Sequence, residues 1–187
     1  MIKRIFDLLA AVLLLVGLSL PLLITAAIIK LTTAGPVLYW SDRVGKYNKI
    51  FKMCKFRTMR LDVPTVATHL LSDANKYLTP VGSFLRKFSL DELPQLFNII
   101  KGEMTFVGPR PALFNQDDLI GLRTQKKVHT LTPGVTGWAQ VNGRDELSIS
   151  EKVDFDEYYL KNRSFFLDVK IILITVLKVI KKEGVRH

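Results

Sequence analysis

The longest apolar stretch of the chain lies near its N-terminus, where residues 8–29 include no charged side chain. Basic side chains bracket the stretch at Lys3, Arg4 and Lys30. About 20 consecutive apolar residues are enough for an α-helix to cross the hydrocarbon core of a bilayer. The pattern therefore predicts a helix that enters a membrane. A secretory signal peptide is the alternative, but its apolar core is shorter, and residues 30–36 lack a convincing small-residue cleavage site.

Pro21 lies near the middle of this apolar stretch. Proline removes a backbone hydrogen bond and its ring clashes with the preceding turn, so we expect a kink near Leu20. A kinked spanning helix and a re-entrant helix both fit the apolar segment alone. The positive-inside rule places Lys3, Arg4 and Lys30 on the cytoplasmic side. We therefore expect a re-entrant helix whose two ends both face the cytoplasm.

Strand patterns follow the apolar stretch. Residues 37–40 and 49–53 are rich in aromatic and branched side chains, and they flank a turn at residues 45–48. This arrangement predicts a β-hairpin. Residues 132–144 contain Pro133, Gly134, Gly137 and Gly143, a composition that predicts a loop.

Helical patterns occupy most of the remaining chain. Residues 76–88 are helical in patches, interrupted by Thr79-Pro80. Residues 90–100 are predicted to be helical because apolar side chains recur there at the spacing of one helix face: Leu93, Leu96, Phe97 and Ile100. Together with the hairpin, these segments indicate an α+β fold.

The C-terminal run, residues 165–182, is apolar but is interrupted by Asp168, Lys170 and Lys178. Its longest uncharged piece is too short to cross a bilayer. An amphipathic helix lying at the membrane interface, with lysines reaching the headgroups, fits this pattern. An ordinary core helix fits it equally well.

Composition limits the possible architecture and partners. The 187 residues are 48% hydrophobic, which suits one domain plus an anchor, and we expect an anchor at 1–34 and a single domain at 35–187. The single cysteine, Cys54, excludes an internal disulfide, and the three histidines lack metal-ligand spacing. A formal net charge of +10 indicates an anionic partner, which nucleic acid, acidic lipids and phosphorylated substrates would all satisfy.

Two adjacent acids, Asp91 and Glu92, follow Ser89 at a predicted helix start. The positive end of the helix dipole favours ionised carboxylates there. A purely structural explanation also exists, because Ser89 and Glu92 have the spacing of a capping box and Asp91 is itself a suitable N-cap.

Cations are frequent on both sides of these acids, at Arg86, Lys87, Lys101 and Arg110. Arginine binds phosphate oxygens bidentately, so this density suits a phosphate site, although a solvated basic face explains any one cation equally well. In Gly108-Pro109-Arg110-Pro111, two prolines fix the backbone around one arginine. Walker loops, dinucleotide-binding glycine motifs, zinc spacings and nucleophile elbows are absent from the sequence.

Several sequence blocks occur in an order that resembles a known family. They are KFRTM at 55–59, SLDELPQLFN at 89–98, KGEM at 101–104, VGPRP at 107–111 and TPGVTGWAQVNGR at 132–144. The chain resembles the bacterial sugar transferases, in particular the small monotopic phosphoglycosyl transferases.

The resemblance implies a re-entrant N-terminal helix, amphipathic helices at the membrane surface, and an Asp-Glu pair with bound Mg²⁺. Asp91 and Glu92 match the catalytic pair, with Asp91 as the nucleophile and as a metal ligand. Asp91 would carry a covalent phosphosugar after UMP leaves a UDP-sugar, until polyprenyl phosphate attacks it.

The resemblance also assigns the substrate phosphates to a set of basic residues, namely Arg86, Arg110, Arg144, Lys55 and Arg57. The family usually breaks its anchor helix at an adjacent Ser-Pro. Here Leu20 precedes Pro21 and the nearby serine is Ser19, whose hydroxyl is able to bond to a nearby carbonyl.

The expected protein is monotopic and lies at the cytoplasmic face of the bacterial inner membrane, where it initiates glycoconjugate assembly. Its expected partners are a UDP-sugar donor, a polyprenyl phosphate acceptor, membrane lipids and downstream glycosyltransferases, and nucleic acid is not among them. Two rival functions remain: a membrane-anchored basic protein that binds acidic lipids or nucleic acid without catalysis, and a transferase that forms no covalent intermediate.

Overall fold

A computed structural model describes residues 2–63, 74–143 and 146–181, which form a mixed α and β structure. The helices are α1 (Ile2–Gly17), α2 (Ser19–Thr32), α3 (Gly82–Lys87), α4 (Leu96–Lys101), α5 (Asp117–Gln125), α6 (Trp138–Val141), α7 (Ile149–Asn162) and α8 (Phe165–Lys181). The strands are β1 (Leu38–Val44), β2 (Ile50–Phe56), β3 (Thr105–Val107) and β4 (Gly134–Thr136). The α+β class expected from the sequence is therefore confirmed.

The N-terminal apolar stretch forms two helices, α1 and α2, that meet at an angle of 62°. The break falls at Leu18 rather than at the predicted Leu20, because Pro21 is tolerated in the first turn of α2, where its missing N–H costs little. The Ser19 hydroxyl donates a hydrogen bond to the Val16 carbonyl across the break, at 2.8 Å. In the described part of the chain, no single helix is long and apolar enough to cross a membrane, whereas the bent pair together meets both criteria.

The first turns of α1 are attached to the body of the protein. The Arg4 guanidinium donates to the carbonyls of Ile99, at 2.5 Å, and Ile100, at 2.8 Å, at the end of α4. The buried Asp7 carboxylate accepts a hydrogen bond from the Thr105 hydroxyl of β3, at 2.6 Å. Lys3 forms an ion pair with Asp168 of α8. The N-terminus is thus held against three separate elements.

The predicted hairpin is confirmed, with β1 and β2 pairing in antiparallel register. Tyr39 lies opposite Lys55, and Arg43 lies opposite Phe51. Phe51 and Met53 of β2 pack in one core cluster with Leu96, Ile99 and Met104. The hairpin therefore lies directly against the segment that contains Asp91 and Glu92.

The predicted helix at 90–100 exists, but its buried face differs from the expected one. Residues Leu90–Gln95 form a 3₁₀ helix before α4 begins, so the spacing of an α-helix does not extend through them. Phe97 is 49% exposed, whereas Asn98 and Ile99 are buried. Burial of Asn98 is possible because its amide bonds to the Lys52 carbonyl and the Cys54 N–H. The patchy helix predicted at 76–88 is confirmed by a 3₁₀ turn at Ala74–Tyr77 and by α3.

The loop predicted at 132–144 is wrong in part, since this segment contains β4 and α6. Strand β4 pairs in parallel with β3. The glycines that suggested a loop permit close packing of backbones instead, because a Cβ at Gly134 would collide with the backbone of Gly108.

Helix α8 has the buried face expected of a core helix, whereas its position at a membrane interface stays a prediction. Its Ile171 is fully buried against Val107, Leu131, Val141 and Tyr159. Its opposite side exposes large apolar side chains, including Phe166, at 84%, and Ile180, at 70%. One face of α8 is thus a core face, and the other presents apolar surface.

A buried ion pair joins α5 to α7. The Arg123 guanidinium donates two hydrogen bonds to the Asp156 carboxylate, at 2.6 and 3.0 Å, and Asp156 is 1% exposed. Removing one member of such a pair leaves the other charge buried without a counter-ion.

We predict that Asp156→Ala lowers the free energy of unfolding by about 3–5 kcal/mol, because Arg123 then stays buried without its counter-ion. Chemical denaturation of the purified protein measures this. The control is Asp62→Ala, which breaks the exposed Arg60–Asp62 pair and should have little effect. Equal losses in the two variants would contradict a stabilising role for the buried pair.

Candidate active site

Asp91 and Glu92 lie in the 3₁₀ helix Leu90–Gln95, which follows Ser89. The capping-box explanation is wrong, because the Ser89 side chain makes no capping hydrogen bond and Asp91 lies inside the helix. Ser89 has a φ of 54°, in the left-handed region, whereas a capping serine normally has an extended backbone. Capping therefore does not explain the two acids.

The Glu92 carboxylate is shared between two cations. Its Oε1 accepts hydrogen bonds from the Lys55 ammonium, at 2.8 Å, and from the Arg110 guanidinium, at 2.9 Å. The side chains of Glu92 and Lys55 are only 12% and 16% exposed. Burial lowers the pKa of Lys55, and the Glu92 charge opposes this shift.

Asp91 differs from its neighbour, since no side chain in the described ranges donates a hydrogen bond to its carboxylate. Asp91 is 7% exposed. Burial raises the pKa of Asp91 above its usual range, and the Glu92 charge adds to this, while Lys55, Arg86 and Arg110 oppose it. The expectation that the helix dipole favours the ionised form of this group thus omitted the larger effect, which is desolvation.

Arg86 approaches the two acids from α3. Its Nε donates to the Thr58 hydroxyl, at 2.9 Å, which holds the guanidinium in place. Burial lowers the pKa of Arg86, and the charges of Asp91 and Glu92 oppose the shift. The fold therefore brings Lys55, Arg86 and Arg110 together around the two acids.

The two other predicted phosphate ligands differ. Arg57 is 2% exposed, and its guanidinium donates to the carbonyls of Ala34, at 2.7 Å, and Thr33, at 3.0 Å. Its contacts thus fasten the end of α2, and phosphate binding by Arg57 stays a prediction. Arg144 lies outside the described residues, so its role stays a prediction as well.

The backbone around Arg110 is fixed at four successive carbonyls. Those of Pro109 and Ala112 accept from the backbone N–H groups of Gly134 and Val44, each at 2.9 Å. The Arg110 carbonyl accepts from Arg123, at 2.8 Å, and the Pro111 carbonyl accepts from Arg43, at 3.2 Å. Arg110 is thus held in a preorganised segment, which limits the entropy lost when it meets an anion.

Sequence reasoning missed Arg43, Arg123 and Asp156. The usable signal for Arg43 was strand alternation, because Tyr39, Ser41 and Arg43 occupy one face of β1. Burial lowers the pKa of Arg43 to about 10, with the Arg110 charge contributing and Tyr39 and Glu92 opposing. Arg123 and Asp156 lie far apart in sequence, and no local pattern pairs them.

The donor atoms present suit a magnesium ion that is held mainly by its substrate. No group of three or more potential metal-ligating side chains occurs among the described residues. Magnesium is commonly bound by one or two carboxylates together with substrate phosphates and water. Asp91, whose carboxylate has no protein donor in the described ranges, fits as such a carboxylate.

The sequence is similar to that of known proteins along almost its whole length. The model of the family described as "Bacterial sugar transferase" matches residues 1–182. The chain is 44% identical to the uncharacterized sugar transferase EpsL of Bacillus subtilis over all of this chain and 91% of that protein. It is 41% identical to the undecaprenyl-phosphate glucose phosphotransferase of Komagataeibacter xylinus over 93% of this chain.

A third relative, from Aeromonas hydrophila, is a UDP-N-acetylgalactosamine-undecaprenyl-phosphate N-acetylgalactosaminephosphotransferase, 38% identical over 99% of this chain. The chain spans only 35% of the Komagataeibacter protein and 45% of the Aeromonas protein. The family model nevertheless covers almost the whole sequence, and the match to EpsL covers all of this chain and 91% of EpsL. The chain belongs to the bacterial sugar transferase family.

Proposed function

We propose that this chain transfers a sugar phosphate from a UDP-sugar to a polyprenyl phosphate and releases UMP. The observation that carries the proposal is the buried Asp91–Glu92 pair surrounded by Lys55, Arg86 and Arg110. The relatives named for undecaprenyl-phosphate sugar phosphotransferase activity support it. The product would begin glycoconjugate assembly and pass to downstream glycosyltransferases.

The cations near the two acids suit a reaction between two anionic substrates. A diphosphate donor and a phosphate acceptor repel each other and repel carboxylates as well. Arg110 offers a planar fork to phosphate oxygens, and Lys55 contributes a point charge. The fixed backbone around Arg110 supports a role in which its geometry matters as much as its charge.

We infer a covalent route in which Asp91 is the nucleophile. A carboxylate oxygen of Asp91 forms a bond to the phosphorus attached to the sugar, and the bond from that phosphorus to the UMP oxygen breaks, so UMP leaves with the electron pair. An oxygen of polyprenyl phosphate then attacks the same phosphorus and displaces Asp91. Two displacements at one site spare the enzyme from binding both substrates at once.

Glu92 is the supporting carboxylate of this pair. Because Lys55 and Arg110 both donate to its Oε1, Glu92 fixes two cations beside the reacting phosphate. Asp91 is only 7% exposed, and a site with little water would protect an acyl phosphate intermediate from hydrolysis. Mg²⁺ bound by Asp91 and the substrate phosphates would neutralise charge on the diphosphate and on the departing UMP.

We propose a monotopic position at the cytoplasmic face of the bacterial inner membrane, with α1 and α2 as a re-entrant pair. Contacts at both ends of the pair support this position. Near the start of α1, Lys3, Arg4 and Asp7 all contact the body of the protein. At the end of α2, the Thr33 carbonyl accepts a hydrogen bond from Arg57. A helix that crossed the bilayer would separate these two ends. Exposed apolar side chains on α1, α2 and α8 supply the surface that lipid would cover.

We predict that Asp91→Asn abolishes turnover without destabilising the protein. The pKa of Asp91 is raised in the folded state, so its ionised form weakens the fold at pH values above the pKa of the unfolded chain. Asparagine resembles the neutral form, so the thermal midpoint should stay the same or rise. Glu92→Gln should also be severely impaired, because Lys55 and Arg110 lose their charged partner. A marked fall in the Asp91→Asn midpoint would indicate a structural role.

A chemical readout tests the covalent route directly. Wild-type protein incubated with a UDP-sugar labelled in the sugar, without polyprenyl phosphate, should release UMP and retain label on the peptide containing Asp91. Initial rates with both substrates varied should give parallel lines. Intersecting lines and an unlabelled but active protein would exclude the intermediate, and absence of UMP release would favour the non-catalytic binding protein.

We predict that Arg110→Lys lowers kcat/KM by about 10- to 100-fold, which corresponds to losing one charged hydrogen bond of about 1.5–3 kcal/mol. Lysine keeps the charge and loses the planar fork that reaches Glu92 and phosphate together. The control is Arg60→Lys, an exposed arginine paired with Asp62. Wild-type activity in Arg110→Lys would mean that Arg110 only shapes its segment.

The topology is tested by a cysteine placed at Ile2, which is 81% exposed. The native Cys54 gives little background, because it is buried and burial raises its pKa to about 11. An impermeant thiol reagent applied to the periplasmic side should leave Ile2→Cys unlabelled, as it should the exposed control Lys127→Cys. Both should react after permeabilisation. Periplasmic labelling of Ile2→Cys alone would replace the re-entrant arrangement with a spanning helix.

A further inference from the structure

Arg43 is a partly buried cation beside the candidate site, and it has no role in the reaction proposed above. Its Nε donates to the Ser41 hydroxyl, at 3.0 Å, and its Nη1 donates to the Pro111 carbonyl, at 3.2 Å. In the described ranges, its Nη2 donates no hydrogen bond to the protein. Because a guanidinium nitrogen of this kind has two N–H groups, Arg43 is held in place with donors to spare.

The hairpin register locates Arg43 relative to the other cations. Arg43 and Tyr39 share one face of β1, and Tyr39 lies opposite Lys55. The two positions are four residues apart along the strand, which corresponds to about 13 Å. Lys55 lies beside Glu92, whereas Arg43 bonds to the carbonyl that follows Arg110. The cations therefore extend from Lys55 past Arg110 to Arg43.

The contacts of each cation distinguish the two ends of this row. The Lys55 ammonium donates to Glu92, the neighbour of Asp91, at 2.8 Å. Arg43 donates instead to the Ser41 hydroxyl and to the Pro111 carbonyl. Arg43 thus lies farther from the two acids than Lys55 does.

The Arg43 and Arg110 guanidinium groups repel each other, and the Glu92 charge compensates this only in part. A further anion beside the two arginines would therefore be favourable. Val44 and Gly45, which follow Arg43 in the chain, line a cleft that Arg110 also lines.

We propose that Arg43 and Arg110 together bind the phosphate that leaves with UMP, so that Arg43 is a substrate-binding residue of the donor half-reaction. The inference rests on the proposed function. As the bond between the attacked phosphorus and the UMP oxygen breaks, negative charge grows on the departing phosphate. The Nη2 donors of Arg43 face that charge, while Lys55 and Arg86 stay with the phosphorus that Asp91 attacks.

The acceptor phosphate has the same chemistry, so the two half-reactions must be measured separately. With purified full-length protein in lipid nanodiscs, Arg43→Lys and Arg43→Met should raise the KM for the UDP-sugar and weaken inhibition by UMP. We expect a change of about 10- to 100-fold, as for loss of one charged hydrogen bond. The KM for polyprenyl phosphate should stay within about twofold of the wild-type value, below the cost of a lost hydrogen bond.

Two further variants separate binding from structure. Ser41→Ala keeps the Arg43 charge and removes one of the bonds that orient it, so it should weaken UMP inhibition less, in the same direction. Lys52→Met removes an exposed cation from the same hairpin, where it pairs with Asp42, and should leave UMP inhibition unchanged.

Each outcome has one meaning. If the wild-type protein releases no UMP from any UDP-sugar, the proposed function itself fails. If it does, unchanged UMP inhibition in both Arg43 variants overturns the inference. A rise only in the KM for polyprenyl phosphate also overturns it, by assigning Arg43 to the acceptor. A lowered thermal midpoint in Arg43→Lys, together with equal impairment of the donor and acceptor half-reactions, would mean that Arg43 only stabilises the structure.

Discussion

The site depends on one shared carboxylate oxygen, Oε1 of Glu92, which accepts from both Lys55 and Arg110. Lys55 lies near the end of strand β2, Glu92 lies in the 3₁₀ helix, and Arg110 lies in the segment after β3. Three pieces of chain that are distant in sequence therefore meet at a single atom. A buried charged group must be paired, so the position of each partner is constrained by the other two.

This arrangement leaves Asp91 in surroundings that are unfavourable for its ionised form. Glu92 takes the direct hydrogen bonds of Lys55 and Arg110, and Asp91 is buried beside it with cations near but no donor from the described ranges. Desolvation makes the ionised form of a carboxylate less stable. Apolar burial elsewhere, such as the core around Ile99, offsets this cost.

Local patterns accounted for the helical N-terminal stretch with its bend, for the hairpin and for the helical segment that contains the two acids, because each has a period or a turn that is visible within a few residues. They failed where long-range contacts decide the outcome. The glycines at 134 and 137 permit β4 to approach the 108 backbone, and the same residues in isolation predict a loop. Arg57 carries the charge expected of a phosphate ligand, yet its donors are used on the carbonyls at 33 and 34. A sequence motif gives the residue types and leaves the direction of each side chain undetermined.

The contacts of Arg57 also explain why the site lies close to the apolar helices. Lys55 and Arg57 are two residues apart at the end of β2, and one bonds to Glu92 while the other bonds to the end of α2. At the other end of the apolar pair, Arg4 of α1 bonds to the end of α4, the helix that directly follows the segment containing Asp91 and Glu92. The apolar pair is therefore fastened at both of its ends to elements that position Asp91 and Glu92. If lipid covers that pair, a lipid-borne phosphate needs to move only along the membrane surface to reach the buried carboxylates.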